Sequence, residues 1–299
     1  MSLVIAEKLS RSFGATEAVR ALDFSVEPGQ IVGFIGKNGA GKTTTMRMLA
    51  GTLHPTSGQA LIAGHNVVSE AREARRAVGY LPERPPVYPD MGVEEYLGFV
   101  GGLRGIRDVR GAVARSMDLT GLAGRELSPV SSLSKGFLQR LGIAQAIVHR
   151  PRLLLLDEPL SGLDPGQRKH TLEMLRSLAD DGVAVILSTH ILAEIQALCD
   201  QALVIERGQL VASGGVDAIG ASRHTFVIQL QDREVDLSVH LAEVEQVESV
   251  ERLSVGRWKV RATTDVRAIC ATAAAEFGLL ELRSERDLEA VFLEATEES

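Results

Sequence analysis

The sequence predicts an α/β fold built around a mainly parallel β-sheet. Three apolar runs of strand length carry this prediction, at residues 30–35, 153–156 and 183–188. The second and third are continuously aliphatic, which is typical of strands buried on both faces of a parallel sheet. A helix is predicted after each of the first two runs, at residues 44–50, where apolar residues have helical spacing, and at about 167–179.

A glycine-rich loop separates the first strand from its helix. Its sequence GKNGAGKT ends at Lys42 and Thr43 and fits the pattern G-x-x-x-x-G-K-[ST]. Glycines let such a loop point successive N–H groups at a phosphate chain, and the helix adds the positive end of its dipole. We therefore predict a P-loop nucleotide site, in which Lys42 reaches the β- and γ-phosphates and the Thr43 hydroxyl takes a Mg²⁺ position. The residues expected to surround the phosphates are Gly36, Asn38, Gly39, Ala40, Gly41, Lys42, Thr43 and Thr44.

An exposed turn precedes the loop. Strands are predicted at residues 3–9 and 22–26, with a turn at residues 13–14 between them. An aromatic residue at a turn is often a core plug, which is one interpretation of Phe13. Beside a nucleotide site, the ring could instead stack on adenine.

The middle of the chain loses the strand pattern. A strand predicted within residues 78–83 ends at Pro82, just before Glu83, and the Pro-rich loop that follows cannot form a helix or a central strand. We expect a helical subdomain at about 84–150 that contacts a partner. Helix breaks are predicted at residues 101–102, at Gly121 and at Pro129, and Ser134 is predicted to cap the last helix.

Polar residues follow both aliphatic runs. Asp157 and Glu158 follow the run at 153–156, on the side of the sheet where open α/β folds bind ligands. Asp157 is expected to hold Mg²⁺, directly or through water, and Glu158 to polarise the attacking water. The alternative is an acidic turn after a core strand. His190 follows the run at 183–188 and is a candidate γ-phosphate sensor, although a lone histidine is usually structural.

The last quarter of the chain differs in charge. Residues 1–220 carry 23 basic and 23 acidic side chains, whereas residues 221–299 carry 9 and 16. We predict a domain at 1–215 and a small α+β domain at 221–299, arranged as a split β-α-β sheet. Dimerisation, binding of a regulator and covering of the larger domain are all compatible with it. Its predicted strands lie at 224–230, 250–255, 258–262 and 279–283, and its helices at 265–277 and 287–295.

Composition argues against several other classes. No apolar run reaches the roughly 18 residues of a membrane span, and the first ten residues do not resemble a signal peptide. Cys199 and Cys270 match no metal or redox spacing, which favours a reduced cytosolic setting. Aromatic residues are few and do not alternate with basic blocks, so we expect no direct binding of nucleic acid.

In order along residues 1–215, these motifs resemble those of the ATP-binding subunit of an ABC transporter. GKNGAGKT is similar to the family's Walker A motif and LLLLDE to its Walker B motif. LSKGF stands in place of the LSGGQ signature, with Lys135 for the first glycine and Phe137 for the glutamine. Glu83 replaces the usual Q-loop glutamine, SGLD resembles the D-loop, and His190 resembles the switch histidine.

The resemblance implies a P-loop NTPase core with an antiparallel β subdomain and a helical subdomain. It implies ATP and Mg²⁺ as cofactors, with Ser134 and Gly136 meeting the γ-phosphate and Asp164 lying at the nucleotide. Lys135 would add charge near that phosphate. Glu83 could bind Mg²⁺ or a water but could not donate an amide hydrogen bond.

The resemblance also implies partners. Two ATP-binding subunits, expected to be copies of this chain, would pair head to tail, each ATP lying between one chain's phosphate loop and the other's signature helix. GYLPERPPVYPDM and LEAVFLEAT resemble the exporter branch of drug, polysaccharide and gliding-motility systems. There a separate permease supplies the membrane helices, which would place this chain on the cytoplasmic face of the cell membrane. The alternative is a soluble ABC ATPase acting on ribosomes or DNA repair intermediates, a class that usually fuses two cassettes or carries zinc cysteines or basic arms.

Overall fold

The computed structural model of the protein describes residues 2–216, 224–242 and 244–285. The chain divides into two units between Gly214 and Gly215, and each unit has its own hydrophobic core. In the described part of the chain, none of the helices has the length and apolar character needed to cross a bilayer.

An antiparallel sheet is formed by the N-terminal part of the first unit. Its first two strands extend beyond the predicted apolar residues, because backbone pairing continues up to Phe13 and Thr16. The fold implied by the resemblance is confirmed here. The sheet has the order β2-β1-β4-β5, with β1 at Val4–Phe13, β2 at Thr16–Val26, β4 at Ser57–Ile62 and β5 at His65–Asn66.

A six-stranded sheet forms the centre of the first unit. The five strands of this sheet that come first in the chain are parallel to one another, as predicted. Every residue is buried in three of these strands, Ile31–Ile35, Leu153–Asp157 and Ala184–Thr189, which agrees with their aliphatic sequences. The order is β10-β9-β3-β8-β7-β6, with β3 at Ile31–Ile35, β6 at Val78–Leu81, β7 at Leu153–Asp157, β8 at Ala184–Thr189, β9 at Gln201–Glu206 and β10 at Gln209–Gly215.

Further helices of the first unit connect these strands. The sequence pattern did not indicate the helix at Leu192–Leu198, whose segment is short and follows β8 directly. The helix predicted at residues 167–179 begins earlier, because Asp164 caps it and Pro165 is favourable in a first helical turn. These helices are α1 at Lys42–Leu49, α2 at Ala71–Arg76, α6 at Pro165–Asp180 and α7 at Leu192–Leu198.

The helical subdomain has a core of its own, made by α3 at Val93–Leu103, α4 at Val109–Leu119 and α5 at Lys135–Ile147. The break predicted at residues 101–102 is wrong, because α3 continues through both glycines. Gly101 is buried, and a Cβ there would lie 3.1 Å from Val109 Cγ1, so this glycine serves close packing within a helix. The breaks at Gly121 and Pro129 are confirmed, since neither residue lies in a helix.

The second unit is a four-stranded antiparallel sheet with two helices. Its β-α-β-β-α-β order is that of the predicted split β-α-β sheet, but the helix between the first two strands was not predicted. The helix predicted at residues 287–295 lies outside the described residues. The elements are β11 at His224–Leu230, α8 at Leu237–Leu241, β12 at Val247–Ser254, β13 at Arg257–Ala262, α9 at Arg267–Ala275 and β14 at Leu279–Glu285, and the sheet order is β12-β13-β11-β14.

Candidate active site

Parallel pairing brings the predicted site residues to one edge of the central sheet. Asp157 on β7 pairs with Ser188 on β8, and Ile35 on β3 pairs with Thr189. The segments that leave these strands therefore begin side by side. They surround a cavity of about 370 Å³ that is lined by Asn38, Gly39, Gly41, Lys42, Thr43, Thr44, Glu83, Asp157, Glu158, Ser161 and His190.

At Gly41, the loop that precedes α1 approaches a neighbouring segment too closely for a side chain. Gly41 has a φ of 109°, and a Cβ on it would lie 2.6 Å from the backbone oxygen of Ala18. Gly41 is the N-cap of α1, which has no side-chain cap, and the first N–H groups of a helix have no partner within it. This end of α1 is therefore a suitable site for an anion.

Lys42 is buried, with 7% of its surface exposed. Its Nζ donates to the backbone oxygens of Gly36, at 2.6 Å, and of Lys37, at 3.1 Å. Burial lowers the pKa of Lys42, and the nearby charges of Glu158 and Asp157 oppose this shift. The lysine is thus held against the loop, and an anion entering the cavity would favour its charged form.

Asp157 has one oxygen satisfied and one without a partner. Ser188 Oγ donates to Asp157 Oδ1 at 2.5 Å, whereas Oδ2 is buried and has no hydrogen-bond partner among the described residues. An unpartnered buried carboxylate oxygen is costly, so this atom fits a cation or a cation-bound water. In the described ranges, no group of three or more His, Cys, Asp or Glu side chains could hold a metal. Asp157 and the Thr43 hydroxyl fit Mg²⁺, which commonly takes few protein ligands and completes its shell with phosphates and water.

Glu158 has an unusual backbone conformation for a residue with a side chain. Its φ is 51°, in the left-handed region, and its N–H donates to the backbone oxygen and to Oγ of Ser188, at 3.2 and 3.1 Å. The Nδ1 atom of His190 lies 2.9 Å from Glu158 Oε1 and must be the donor, because an ionised carboxylate only accepts. A turn in a sparsely populated conformation therefore carries the carboxylate that contacts His190.

The segment around His190 is held by a buried glutamate that the sequence pattern did not indicate. Thr189 Oγ1 donates to Glu194 Oε2 at 2.6 Å and accepts from the N–H of Ile191 at 3.0 Å. Burial raises the pKa of Glu194, and the Thr189 hydrogen bond and Arg168 oppose this shift. Nothing in the sequence marks Glu194, since its role depends on a contact within a turn of the folded chain.

Other predicted residues lie outside the cavity lining. Gly36 and Ala40 belong to the framework of the loop, and Asp164 caps α6 by accepting from the N–H of Gln167 at 2.8 Å. Phe13 is 46% exposed, so the interpretation of this residue as a core plug is wrong. The guanidinium of Arg11 lies over the Phe13 ring, 4.6 Å from its centroid, and stacking on adenine stays a prediction.

The signature segment lies against other parts of its own chain. Ser134 caps α5 as predicted, its side chain accepting from the N–H of Phe137 at 3.4 Å. A Cβ on Gly136 would lie 2.3 Å from Gln167 Oε1, and Lys135 Nζ lies 3.5 Å from Ser161 Oγ. Ser161 lines the cavity although we did not predict it, and its place in the SGLD motif was the available signal.

The parallel sheet, the phosphate loop and the two acids define the class of P-loop nucleotide-binding proteins. The ABC transporter family matches residues 19–161. The chain is 38% identical over 230 residues to YxlF, an uncharacterized ABC transporter ATP-binding protein of Bacillus subtilis (strain 168), a match that covers 76% of each chain. It is 38% identical over 218 residues to the Nod factor export ATP-binding protein I of Paraburkholderia xenovorans (strain LB400), covering 72% of each.

A solved structure of the ATP-binding subunit of an ABC transporter is similar over 74% of this chain and 92% of its own length, with a TM-score of 0.68 and 31% sequence identity. The chain belongs to the ATP-binding subunits of ABC transporters. It is accordingly an ATPase.

The position of Lys42 leads to a prediction about nucleotide affinity. Lys42→Ala should weaken ATP binding by about tenfold or more, roughly 1.4 kcal/mol, because the buried charge facing the phosphates is lost. Lys37→Ala is the matched control, since Lys37 is an exposed lysine of the same loop that does not line the cavity. Titration calorimetry with ATP measures both variants. Equal affinities for the two variants would contradict a phosphate-binding role for Lys42.

Proposed function

We propose that this chain powers an exporter by binding and hydrolysing ATP between two copies of itself, and that the resulting movement drives a separate membrane subunit. The observation that carries the proposal is the convergence of the phosphate loop, Asp157, Glu158 and His190 on one cavity. The direction of transport is supported by the relative from Paraburkholderia xenovorans, whose name assigns it to Nod factor export.

Each residue in the cavity has a role in this proposal. The N–H groups of the loop and Lys42 bind the phosphates, and Thr43 and Asp157 hold Mg²⁺. When bound, Mg²⁺ neutralises charge on the β- and γ-phosphates. Glu158 accepts the proton of the attacking water, and His190 orients the Glu158 carboxylate through their 2.9 Å contact. Glu83 lines the cavity and accepts a hydrogen bond from a water there.

Hydrolysis provides the main test of the proposal. Glu158→Gln should keep ATP affinity within about threefold and reduce turnover by roughly a hundredfold or more, because an amide fits the same space but cannot accept the proton. Steady-state phosphate release and ATP titration measure the two effects. As a control, Glu173→Gln removes an exposed carboxylate of α6, outside the cavity, and should leave turnover unchanged. Turnover of Glu158→Gln within about twofold of the parent protein would remove Glu158 from its proposed role.

The position of Ser134 and Gly136 supports pairing of two copies. Both residues lie outside the lining of the cavity in their own chain, and Ser134 stands at the N-terminus of α5. A helix N-terminus attracts anions. Across a two-fold axis, α5 of each copy can meet the γ-phosphate bound by the other, giving two equivalent sites. ADP lacks this phosphate and should release the pair.

Association should therefore depend on ATP. Glu158→Gln should form dimers with ATP and Mg²⁺ at protein concentrations of roughly tens of micromolar, because its nucleotide persists. Adding Ser134→Arg should abolish these dimers, since a long side chain then occupies the shared interface. Light scattering coupled to size exclusion measures both. Identical masses for the single and double variants would contradict the shared site. If a dimer forms without ATP, the same comparison is repeated on a chain ending at Val216.

An exposed aromatic surface on the helical subdomain supports the proposed membrane partner. The rings of Tyr88 and Phe99 contact each other edge to face, 5.6 Å between centroids, and both are exposed, as is Leu103 one turn further along α3. Next to Leu103 lies a cavity lined by Arg72, Arg75, Arg76 and Arg104, and among the described residues no carboxylate pairs with these four. We propose that a cytoplasmic helix of the permease, with an apolar face and an acidic end, occupies this surface.

This docking surface can be tested in membranes of the source cells. The parent chain should sediment with the membrane fraction, and Phe99→Asp combined with Leu103→Asp should leave it in the supernatant, because two charges would be buried at the interface. Val239→Asp is the control, since Val239 is exposed in the second unit. Equal sedimentation of the double variant and the control would contradict docking at this surface.

A further inference from the structure

The buried amide of Gln139 contacts the backbone of the proposed general base. Gln139 lies on α5, just after the first turn that Ser134 caps, and only 4% of its surface is exposed. Its Nε2 donates to the backbone oxygen of Glu158 at 3.2 Å. The helix that begins at the signature segment is therefore bonded directly to the residue that carries the base.

The backbone of Glu158 needs such support because of its conformation. A left-handed residue with a side chain costs on the order of 1 kcal/mol or more and persists only where its surroundings hold it. Ser188 on β8 accepts the hydrogen bonds of the Glu158 N–H. The Glu158 oxygen accepts from the N–H of Ser161, at 3.2 Å, and from Gln139. Of these partners, Gln139 is the one on the helical subdomain.

Two further contacts join the first turn of α5 to the same stretch of chain. Lys135 lies over Gly162, where a Cβ would be 2.6 Å from Lys135 Cδ, and its Nζ lies 3.5 Å from Ser161 Oγ. Gly136 lies against Gln167 at the start of α6. The segment from Glu158 to α6 is thus held to α5 at several points. A displacement of α5 would therefore act directly on Glu158, through the hydrogen bond from Gln139 to the Glu158 backbone oxygen.

We propose that Gln139 is a positioning residue for Glu158 and couples the two ATP sites of the dimer. The inference rests on the proposed function, in which α5 of one subunit meets the γ-phosphate bound by the other. Engagement of that phosphate fixes α5, and Gln139 then fixes the Glu158 peptide of its own subunit. Each nucleotide therefore prepares the base of the opposite site.

The test removes this hydrogen bond while keeping the volume of the side chain. Gln139→Met should lower kcat by roughly tenfold, because a general base that is no longer held in place loses part of its contribution to the rate. The KM for ATP-Mg²⁺ should stay within about twofold of the parent value. The matched control is Gln145→Met on the same helix. Gln145 is also buried, and its Nε2 donates to the backbone oxygen of Tyr80 at 2.8 Å, away from Glu158. Gln145→Met should lose about as much thermal stability as Gln139→Met, and its kcat should stay within about threefold of that of the parent protein.

A double variant separates positioning from a general structural role. If Gln139 acts through Glu158, adding Gln139→Met to Glu158→Gln should change the residual single-turnover rate by less than about twofold. An equal loss in both backgrounds would overturn the inference, and so would equal kcat values for Gln139→Met and Gln145→Met. If Gln139→Met does not fold, Gln139→Leu gives the same comparisons, because an aliphatic side chain cannot donate to the Glu158 oxygen. Full turnover in Glu158→Gln alone would instead refute the proposed function.

Discussion

The site depends on the common register of three parallel strands, β3, β8 and β7. Their paired ends place Ile35 beside Thr189 and Ser188 beside Asp157, so the residues that follow each strand leave the sheet at the same edge. A shift of one residue would turn every side chain of a strand to the opposite face, and Asp157 would no longer meet Ser188. The buried aliphatic residues of these strands oppose such a shift, because both of their faces are packed.

This arrangement leaves two opposite charges buried at one edge of the sheet. Lys42 is satisfied by backbone oxygens of its own loop, and Asp157 is satisfied by Ser188 at one oxygen only. Buried charges destabilise a protein unless they are paired or hydrogen-bonded. In our proposal, ATP and its cation complete both sets of partners, which explains why an ATPase keeps these groups inside. The same ligand would then close two subunits over the site.

Two of the departures from the family pattern, Glu83 and Lys135, have different positions in the structure. Glu83, where most members have glutamine, lines the cavity and places a further carboxylate there. Lys135, which replaces a signature glycine, lies over Ser161 and Gly162 of its own chain, in contact with the segment that follows Glu158. The first departure therefore concerns the charge of the site itself. The second adds a contact between α5 and the segment that follows Glu158, on the same helix as Gln139.

The amino-acid sequence by itself determined the phosphate loop, the aliphatic strands and the acids at their ends, because each is specified by neighbouring residues in a short pattern. The loop needs glycine beside Lys42, and Asp157 needs only a buried strand before it. Only the tertiary structure decided what depends on distant contacts. Gly101 permits close packing inside a helix, and the roles of Gln139 and Ser188 arise from bonds to Glu158 across 19 and 30 positions of the chain. A buried glutamine or serine is ordinary in sequence, and folding alone determines which backbone atom it reaches.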